Sequence, residues 1–236
     1  MPSAGEWEPD AENWVRWART PGHDAYWYYR DGFFDEFVPG PTGRALEVGC
    51  GEGRVARDLA ARGHRVTAID TSHTLVRYAR DEDDRGRYAL ADSAALPFRN
   101  CCFDLAVAYN ALQVVADMAA TVAEIARVLE RGGHLCACIA HPVTDLGRFD
   151  TRENGTTFTL RDGYFENARV DDTVESNGLS MTFRGWTYSV EDYSLAFEAA
   201  GLWIEGFREP RPTGAPSRYD RWQHVPQFMF IRAVKP

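Results

Sequence analysis

The chain of 236 residues is long enough for one sizeable globular domain with a small cap. Hydrophobic residues make up 44% and charged residues 26%, which argues against disorder, and a net charge of −9 provides no basic surface for nucleic acid. No stretch approaches the roughly 20 apolar residues of a membrane helix, and the acidic N-terminus lacks the apolar core of a signal peptide. The five cysteines form no CxxC pair and no zinc-binding spacing, so we expect reduced thiols, a cytoplasmic protein and no metal.

Residues 1–42 are predicted to form a helical lid that precedes a larger domain, residues 43–236. Residues 10–38 indicate two short helices divided by Thr-Pro-Gly at 20–22, the second running from His23 to Phe37. The loop at 39–43, Pro-Gly-Pro-Thr-Gly, closes the segment. Aromatic side chains are dense in this lid: Trp14, Trp17, Tyr26, Trp27, Tyr28, Tyr29, Phe33, Phe34 and Phe37.

From residue 43 onward, strands and helices alternate, which predicts a parallel sheet with right-handed crossovers. The predicted strands are 45–48, 65–69, 87–91, 103–109, 134–140, 202–207 and 227–234. The predicted helices are 54–62, 72–80, 118–130 and 190–200. Residues 142–189 interrupt this pattern, and we interpret them as a β insertion over one edge of the site. Antiparallel strands are expected there at 156–160 and 179–188.

The strongest motif is Glu-Val-Gly-Cys-Gly-Glu-Gly-Arg at 47–54, between the first strand and the first helix. A glycine-rich turn at this point lets the backbone and the helix N-terminus approach a ligand closely. A dinucleotide motif, G-x-G-x-x-G, would need its third glycine where this chain has Arg54. A bulky arginine hinders the close packing of helix and strand that the third glycine permits, so the spacing argues against a nicotinamide cofactor.

Polar residues follow the next three strands in the same way. Asp70 ends the second strand, Asp92 and Ser93 follow the third, and Asn110 follows the fourth. Any one of them alone is explained by a turn or a helix N-cap. Together they occupy the carboxyl ends of parallel strands, where open α/β sheets bind ligands, and Asp70 is placed to accept hydrogen bonds from ribose hydroxyls.

With these motifs, the sequence resembles the class I S-adenosylmethionine-dependent methyltransferases of the small-molecule type, specifically over residues 43–140 and more loosely over 186–234. The resemblance implies a Rossmann-like α/β fold. Its seven-stranded, mostly parallel sheet would have helices on both faces and an antiparallel last strand, with the lid before it and the insertion after strand 5. It also implies S-adenosylmethionine as cofactor. The residues that match the family's cofactor-binding positions are Glu47, Gly49, Gly51, Gly53, Asp70, Thr71, Asp92, Ser93, Asn110 and Ala111.

The residues on the acceptor side must be chosen by position, because they vary within the family. His141 follows the fifth strand directly and is the first candidate for a general base or an orienting group, although it also suits a strand-end cap. Asp24, Tyr28 and Asp31 are spaced i, i+4 and i+7, which would place them on one face of a helix; of these, Tyr28 and Asp24 are the further catalytic candidates. His224, in a predicted loop, is a weaker choice.

The aromatic residues of the lid, the insertion and the last loop indicate a flat acceptor, because stacked rings gain roughly 0.5–1.5 kcal/mol beyond area burial. A tryptophan-derived or phenolic natural product would fit. The predicted substrate-binding residues are Tyr26, Trp27, Trp186, Trp222 and His224. Two alternatives stay open: a nicotinamide-dependent oxidoreductase and a non-catalytic protein that binds an adenosyl cofactor. We expect a small-molecule acceptor, no nucleic-acid or membrane partner, and a monomer or a homodimer.

Overall fold

A twisted β-sheet forms the centre of the computed structural model, which describes residues 6–150, 157–160 and 163–236. The strands are β1 (Arg44–Val48), β2 (Arg65–Asp70), β3 (Arg87–Leu90), β4 (Phe103–Tyr109), β5 (Leu129–Ala140), β6 (Gly147–Phe149), β7 (Phe158–Leu160), β8 (Arg169–Ser176), β9 (Leu179–Trp186), β10 (Trp203–Arg208) and β11 (Phe228–Val234). The helices are α1 (Ala11–Arg19), α2 (Tyr26–Asp31), α3 (Arg54–Ala61), α4 (His73–Glu82), α5 (Met118–Val128), α6 (Pro142–Asp145) and α7 (Val190–Ala199). None of the helices in these ranges is long and apolar enough to cross a membrane.

Seven of the described strands make the central sheet, in the order β10-β11-β5-β4-β1-β2-β3. The strands β1 to β5 pair in parallel, whereas β11 runs antiparallel to both of its neighbours, β5 and β10. The predicted Rossmann-like sheet with an antiparallel last strand is therefore confirmed. β5 begins at Leu129, five positions before the prediction, because Leu129 pairs with Phe103 before the register shifts to His134 opposite Leu105.

Both faces of the sheet are covered by apolar side chains. One face packs Leu46, Val48 and Ile69 against α5 and α7. The other face packs Leu105 and Val107 against α3 and an aromatic group from the lid: Tyr26, Tyr29, Phe33, Phe34 and Phe37. Burial of such side chains contributes about 25 cal/mol per Å² of apolar surface, so the lid aromatics are part of the core rather than a loose flap.

The second lid helix starts later than predicted. The helical segment begins at Tyr26 rather than His23 and continues from Gly32 to Phe37 as a π-helical turn. Asp24 therefore precedes the helix, and the i, i+4, i+7 spacing does not place it on one helical face with Tyr28 and Asp31. The physical cause is local, since Gly22 adopts a φ of +68° and no side chain caps the helix at Ala25.

The region 142–189 contains two separate two-stranded sheets, β6 with β7 and β8 with β9. The predicted strand at 179–188 corresponds to β9, but its partner is β8 and not the strand at 156–160, of which Phe158–Leu160 pairs with β6. The turn between β8 and β9 is Asn177-Gly178, with φ values of +50° and +77°. Asn-Gly with positive φ at both positions is a strong hairpin signal that the sequence analysis overlooked. Residue Thr156 lies outside the described residues.

Candidate functional site

The glycine loop lies at the carboxyl end of β1 and depends on glycine at two crowded positions. Gly49 has a φ of +72°, and a Cβ there would lie 2.8 Å from the Cβ of Ala111. Gly51 has a φ of +55°, and a Cβ there would lie 2.9 Å from the indole Nε1 of Trp14. Since side chains other than glycine are strained in this backbone region and have no space, the loop keeps its bare backbone.

Asp70 connects the glycine loop to the end of β2. Its Oδ2 accepts the N–H of Gly51 at 2.8 Å, and its Oδ1 accepts the N–H of Ser72 at 2.9 Å. Burial raises the pKa of Asp70, and the backbone hydrogen bonds oppose that shift. A carboxylate offers about four acceptor positions, so these bonds leave capacity for the hydroxyls of a ribose.

Glu47 brings a second carboxyl group beneath the same loop. The side chain is 1% exposed, and its Oε2 has no hydrogen-bond partner among the described residues. Burial raises the pKa of Glu47 well above its usual value, and the nearby carboxyl groups of Asp70 and Glu52 raise it further. An unpartnered carboxyl oxygen in a negative pocket is a position where a cationic ligand group is stabilised.

The remaining predicted cofactor residues differ in how the structure uses them. Asp92 is exposed and accepts the N–H of Ala94 at 2.9 Å. The hydroxyl of Ser93 bonds to that of Thr121 on α5 at 2.9 Å, so this side chain is engaged with the helix. Thr71 follows Asp70 directly and is partly buried.

Asn110 and Ala111 lie beside the glycine loop. Asn110 adopts a φ of +53°, and its N–H donates to the oxygen of Cys138 at 2.7 Å. This turn places Ala111 against Gly49, and the carboxyl ends of the neighbouring strands β1 and β4 meet there.

The lid contacts the loop through a set of polar and aromatic side chains. Arg54, the residue that replaces the third glycine of a dinucleotide motif, pairs with Asp24 at 2.7 Å and lies over the rings of Tyr26 and Trp14, 4.1 and 5.1 Å from their centroids. A cation over an aromatic face is worth roughly 0.5–2 kcal/mol, so this arginine fixes the lid at the start of α3.

Two further lid contacts strengthen this attachment. Arg19 of α1 bonds to Glu52 at 2.8 Å; Glu52 is 1% exposed and also binds Arg57. Glu8 accepts hydrogen bonds from the hydroxyls of Ser72 and Thr74, at 2.5 and 2.6 Å, directly beyond Asp70. The lid therefore contacts the glycine loop at Glu52 and the residues that follow Asp70.

Comparison with known proteins agrees with this geometry. A family model described as a methyltransferase domain matches residues 46–137, a range that contains the glycine loop, Asp70, Asp92 and Asn110. Over this range the chain is similar to methyltransferase domains.

Individual relatives share parts of the chain or its fold. The malonyl-[acyl-carrier protein] O-methyltransferase of Salmonella typhimurium is 40% identical over 152 residues, 61% of this chain and 56% of that protein. S-adenosylmethionine-dependent methyltransferase structures from Mesorhizobium loti (23% identity, TM-score 0.72) and Listeria monocytogenes (putative, 19%, 0.74) share the fold. They cover 89% and 90% of this chain, and 98% of each of those chains. The chain spans about half the length of the curated relatives it matches.

S-adenosylmethionine is the cofactor of the class I methyltransferases that the chain resembles, and the residues present fit it. The unpartnered Oε2 of Glu47 suits the amino group of the methionine moiety. Asp70 retains acceptor capacity for the ribose. Groups of three or more metal-ligating side chains are absent from the described residues.

The structure does not bring the predicted acid/base set of the lid together. Asp24 is paired with Arg54, while Tyr28 donates its hydroxyl proton to the oxygen of Gly22 at 2.9 Å. Asp31 is 64% exposed and faces Arg30 and Arg62 on the outside. The predicted common face is wrong, because Asp24 precedes the helix and each group has a partner of its own; the catalytic roles of Asp24 and Tyr28 stay predictions.

His141 is buried at the carboxyl end of β5 and acts as the N-cap of α6. Its Nδ1 accepts the N–H of Val143 at 3.2 Å, and its Nε2 lies 3.1 Å from the Oε1 of Glu209. Burial lowers the pKa of His141, and the carboxylate of Glu209 opposes the shift. With both nitrogens engaged, His141 would have to change partners to serve as the predicted base.

The predicted substrate-binding residues occupy three different environments. The hydroxyl of Tyr26 bonds to Asp58, and Trp222 packs its edge against Phe149 at 5.0 Å. Trp186 is half-buried, with its backbone N–H on Gln113, and His224 is exposed. Trp27 is half-buried and has an indole N–H without a hydrogen-bond partner among the described residues.

Several site residues were not found from the sequence. Buried side-chain atoms without hydrogen-bond partners occur in the described structure at residues that were not predicted for the site, among them His23, Tyr29, Gln113 and Gln227. His23 carried a usable signal, because a histidine next to a Gly-containing helix break lies where a lid meets its site. Gln113 carried none, since a glutamine after a strand is common in any loop.

Proposed function

We propose that this protein transfers the methyl group of S-adenosylmethionine to a small molecule, and that the acceptor is an aromatic or heteroaromatic compound such as a phenol or a tryptophan derivative. The observation that carries the proposal is the buried, unpartnered carboxyl oxygen of Glu47 beneath the glycine loop, next to Asp70. A protein without a cationic ligand there would bury that oxygen at a cost of about 1–3 kcal/mol.

When bound, S-adenosylmethionine supplies an electrophilic methyl group that needs no metal. Glu47 and Asp70 would hold the two ends of the cofactor, and Asn110 and Ala111 would border its reactive end. The lid excludes water through Trp14 over Gly51. Alignment and a dry site provide most of the catalysis in an in-line displacement.

The aromatic acceptor is supported by the rings that gather between the lid and β9. Trp17 meets Phe183 edge-on at 5.7 Å, and Trp14 meets the same ring at 6.3 Å. These rings form an apolar wall, and offset or edge-on contacts favour a flat partner.

A second candidate acceptor is a carboxyl group on an acyl chain, which the likeness to a malonyl-[acyl-carrier protein] O-methyltransferase favours. An anionic carboxylate needs an uncompensated cation. The arginines nearest the loop, Arg19 of the lid and Arg54 and Arg57 of α3, are paired. Arg19 and Arg57 bind Glu52, and Arg54 binds Asp24. This pairing favours a neutral acceptor.

Calorimetric titration with S-adenosylhomocysteine, with NADH as comparison, tests the proposal. We expect micromolar binding of S-adenosylhomocysteine and none of NADH. Asp70→Ala should weaken the binding by about 10-fold or more, since a hydrogen bond to a charged group contributes about 1.5–3 kcal/mol. The variant Asp172→Ala, on the exposed β8–β9 hairpin, is the matched control. Binding of NADH, or equal affinity in Asp70→Ala, would refute the cofactor assignment.

Methyl transfer is then measured as S-adenosylhomocysteine release with phenols, indoles and aliphatic alcohols. Turnover of aliphatic alcohols but not of aromatic compounds would contradict the proposed acceptor class. Release only with acyl-carrier-protein esters of dicarboxylic acids would favour the second candidate. Cofactor binding without transfer to any compound would favour the non-catalytic alternative.

A further inference from the structure

His23 is a buried histidine whose hydrogen bonds the protein leaves incomplete. The side chain is 4% exposed, and neither Nδ1 nor Nε2 has a hydrogen-bond partner among the described residues. A neutral imidazole carries one donor and one acceptor, and each costs about 1–3 kcal/mol when it is buried unpaired. A ligand or a bound water completes such groups in folded proteins.

The position of His23 directs it toward the site. Trp17 packs edge-on against the imidazole with 4.3 Å between ring centroids, and the same Trp17 ring meets Phe183 of β9. The next residue in the chain, Asp24, pairs with Arg54 directly beyond the glycine loop. The imidazole is therefore held between the glycine loop and β9.

Gln113 has a second buried, unpartnered group, and its backbone contacts β9. Its side-chain Oε1 is buried without a hydrogen-bond partner in the described part of the chain, while its backbone oxygen accepts the N–H of Trp186 at 2.8 Å. A Cβ on Gly185 would point at that backbone oxygen, 2.7 Å away. Phe183 lies two residues earlier, on the same face of the strand. The backbone of Gln113 and the Trp17–His23 pair therefore lie against one face of β9.

The cations of the neighbouring segments are paired. Arg54 pairs with Asp24, and Arg184 of β9 pairs with Asp10 and Asp171. A buried anion without a free cation is costly. The unpartnered groups, an imidazole and an amide oxygen, suit a neutral molecule with polar hydrogens.

We propose that His23 is the general base for a neutral aromatic acceptor that carries a hydroxyl at the reacting position, and that the amide oxygen of Gln113 orients a second polar hydrogen of that acceptor. The inference rests on the proposed methyl transfer. The acceptor oxygen bonds to the methyl carbon, the carbon–sulfur bond breaks with its electron pair kept by sulfur, and the hydroxyl proton moves to the imidazole. The products are a methyl ether, S-adenosylhomocysteine and an imidazolium, which releases its proton to solvent.

The test uses the whole protein loaded with S-adenosylhomocysteine, so that no reaction occurs, and observes the histidine ring nitrogens by ¹⁵N NMR. The signals of His23 are assigned by their loss in His23→Asn. The probes are phenol, toluene as the same shape without the hydroxyl, and benzoate as the anionic form. His134→Asn is the matched control, because His134 pairs with Glu205 in the middle of β5, away from the carboxyl end of the strand.

We expect phenol to shift a His23 ring nitrogen, with no shift from toluene or benzoate, and we expect His23→Asn to weaken phenol binding by about 2–10-fold. His134→Asn should bind phenol as the wild type does. Resorcinol, with two hydroxyls, should bind more tightly than phenol in the wild type and equally in Gln113→Leu.

The contrary outcomes are distinct from each other. A shift of His23 on addition of S-adenosylhomocysteine alone, with no response to phenol, would make it a cofactor ligand and overturn the inference. Equal shifts of the His23 nitrogens with toluene, or stronger shifts with benzoate, would overturn the acceptor chemistry. The absence of a shift with every probe would overturn it as well. If Gln113→Leu still binds resorcinol more tightly than phenol, Gln113 does not orient the acceptor. Failure of S-adenosylhomocysteine to bind in calorimetry would refute the proposed function itself.

Discussion

Gly49→Ala measures how strongly the glycine loop depends on its bare backbone. The φ of +72° costs a non-glycine residue about 1–2 kcal/mol. The new Cβ would lie 2.8 Å from the Cβ of Ala111, well inside the roughly 3.5–4.0 Å optimum for two carbons. Overpacking of this kind costs about 1–3 kcal/mol, so the sum is a loss of about 2–5 kcal/mol in the free energy of unfolding.

Gly132→Ala separates the two contributions, because Gly132 has a similar φ of +78° and a Cβ there would meet no atom within 4 Å. Urea denaturation should show a loss of only about 1–2 kcal/mol in this control. Adding Ala111→Gly to Gly49→Ala should recover the overpacking part, giving a coupling of about 1–3 kcal/mol in a double-mutant cycle. Equal losses in Gly49→Ala and Gly132→Ala, or additive behaviour in the cycle, would refute the steric argument.

Three further predictions use the same denaturation assay. Burial raises the pKa of Glu47, so the wild type loses stability as the pH rises from about 4.5 through the folded-state pKa. The variant Glu47→Gln should therefore become more stable relative to the wild type from pH 5 to 8. A difference in stability that stays the same over this range would contradict the prediction. Burial lowers the pKa of His141, so stability falls as the pH drops below about 6.5. The variant His141→Asn, which keeps an N-cap, should lose less stability than the wild type between pH 7.5 and 5. An equal loss in both proteins would contradict the prediction. Asp24→Asn leaves Arg54 unpaired and should lower the free energy of unfolding by an amount toward the lower end of about 3–5 kcal/mol. The double variant Asp24→Asn/Arg54→Met should recover part of this loss. No recovery would show that the broken ion pair is not the cause.

The acceptor side shows where reasoning from periodicity failed. The spacing of Asp24, Tyr28 and Asp31 is helical only if a helix covers all three, and the chain enters its helix at Tyr26. The ion pair of Asp24 joins residues 30 positions apart, and such a contact leaves no trace in local spacing. His141 was placed correctly at the end of a strand, but its partner Glu209 is far away in the sequence.

The β insertion shows the same contrast between what local residues predict and what long-range contacts decide. β9 was predicted from its own residues, whereas its partner β8 was not predicted, because pairing depends on which strand reaches β9 and not on the composition of β9. The Asn177-Gly178 turn would have identified β8, since both residues tolerate positive φ.

The sequence by itself determined the seven-stranded sheet, the glycine loop and the acids at the ends of the strands. Short apolar runs, helix stops and glycine clusters act over a few residues, so they can be recognised in the sequence. Only the tertiary structure decided how the lid is held and which of its polar groups stay unpartnered. Arg54 meets Asp24, and His23 meets no hydrogen-bond partner among the described residues, because segments distant in sequence pack against one another. Hydrogen-bond satisfaction is a property of the assembled fold, and it is what distinguishes His23 from the other histidines.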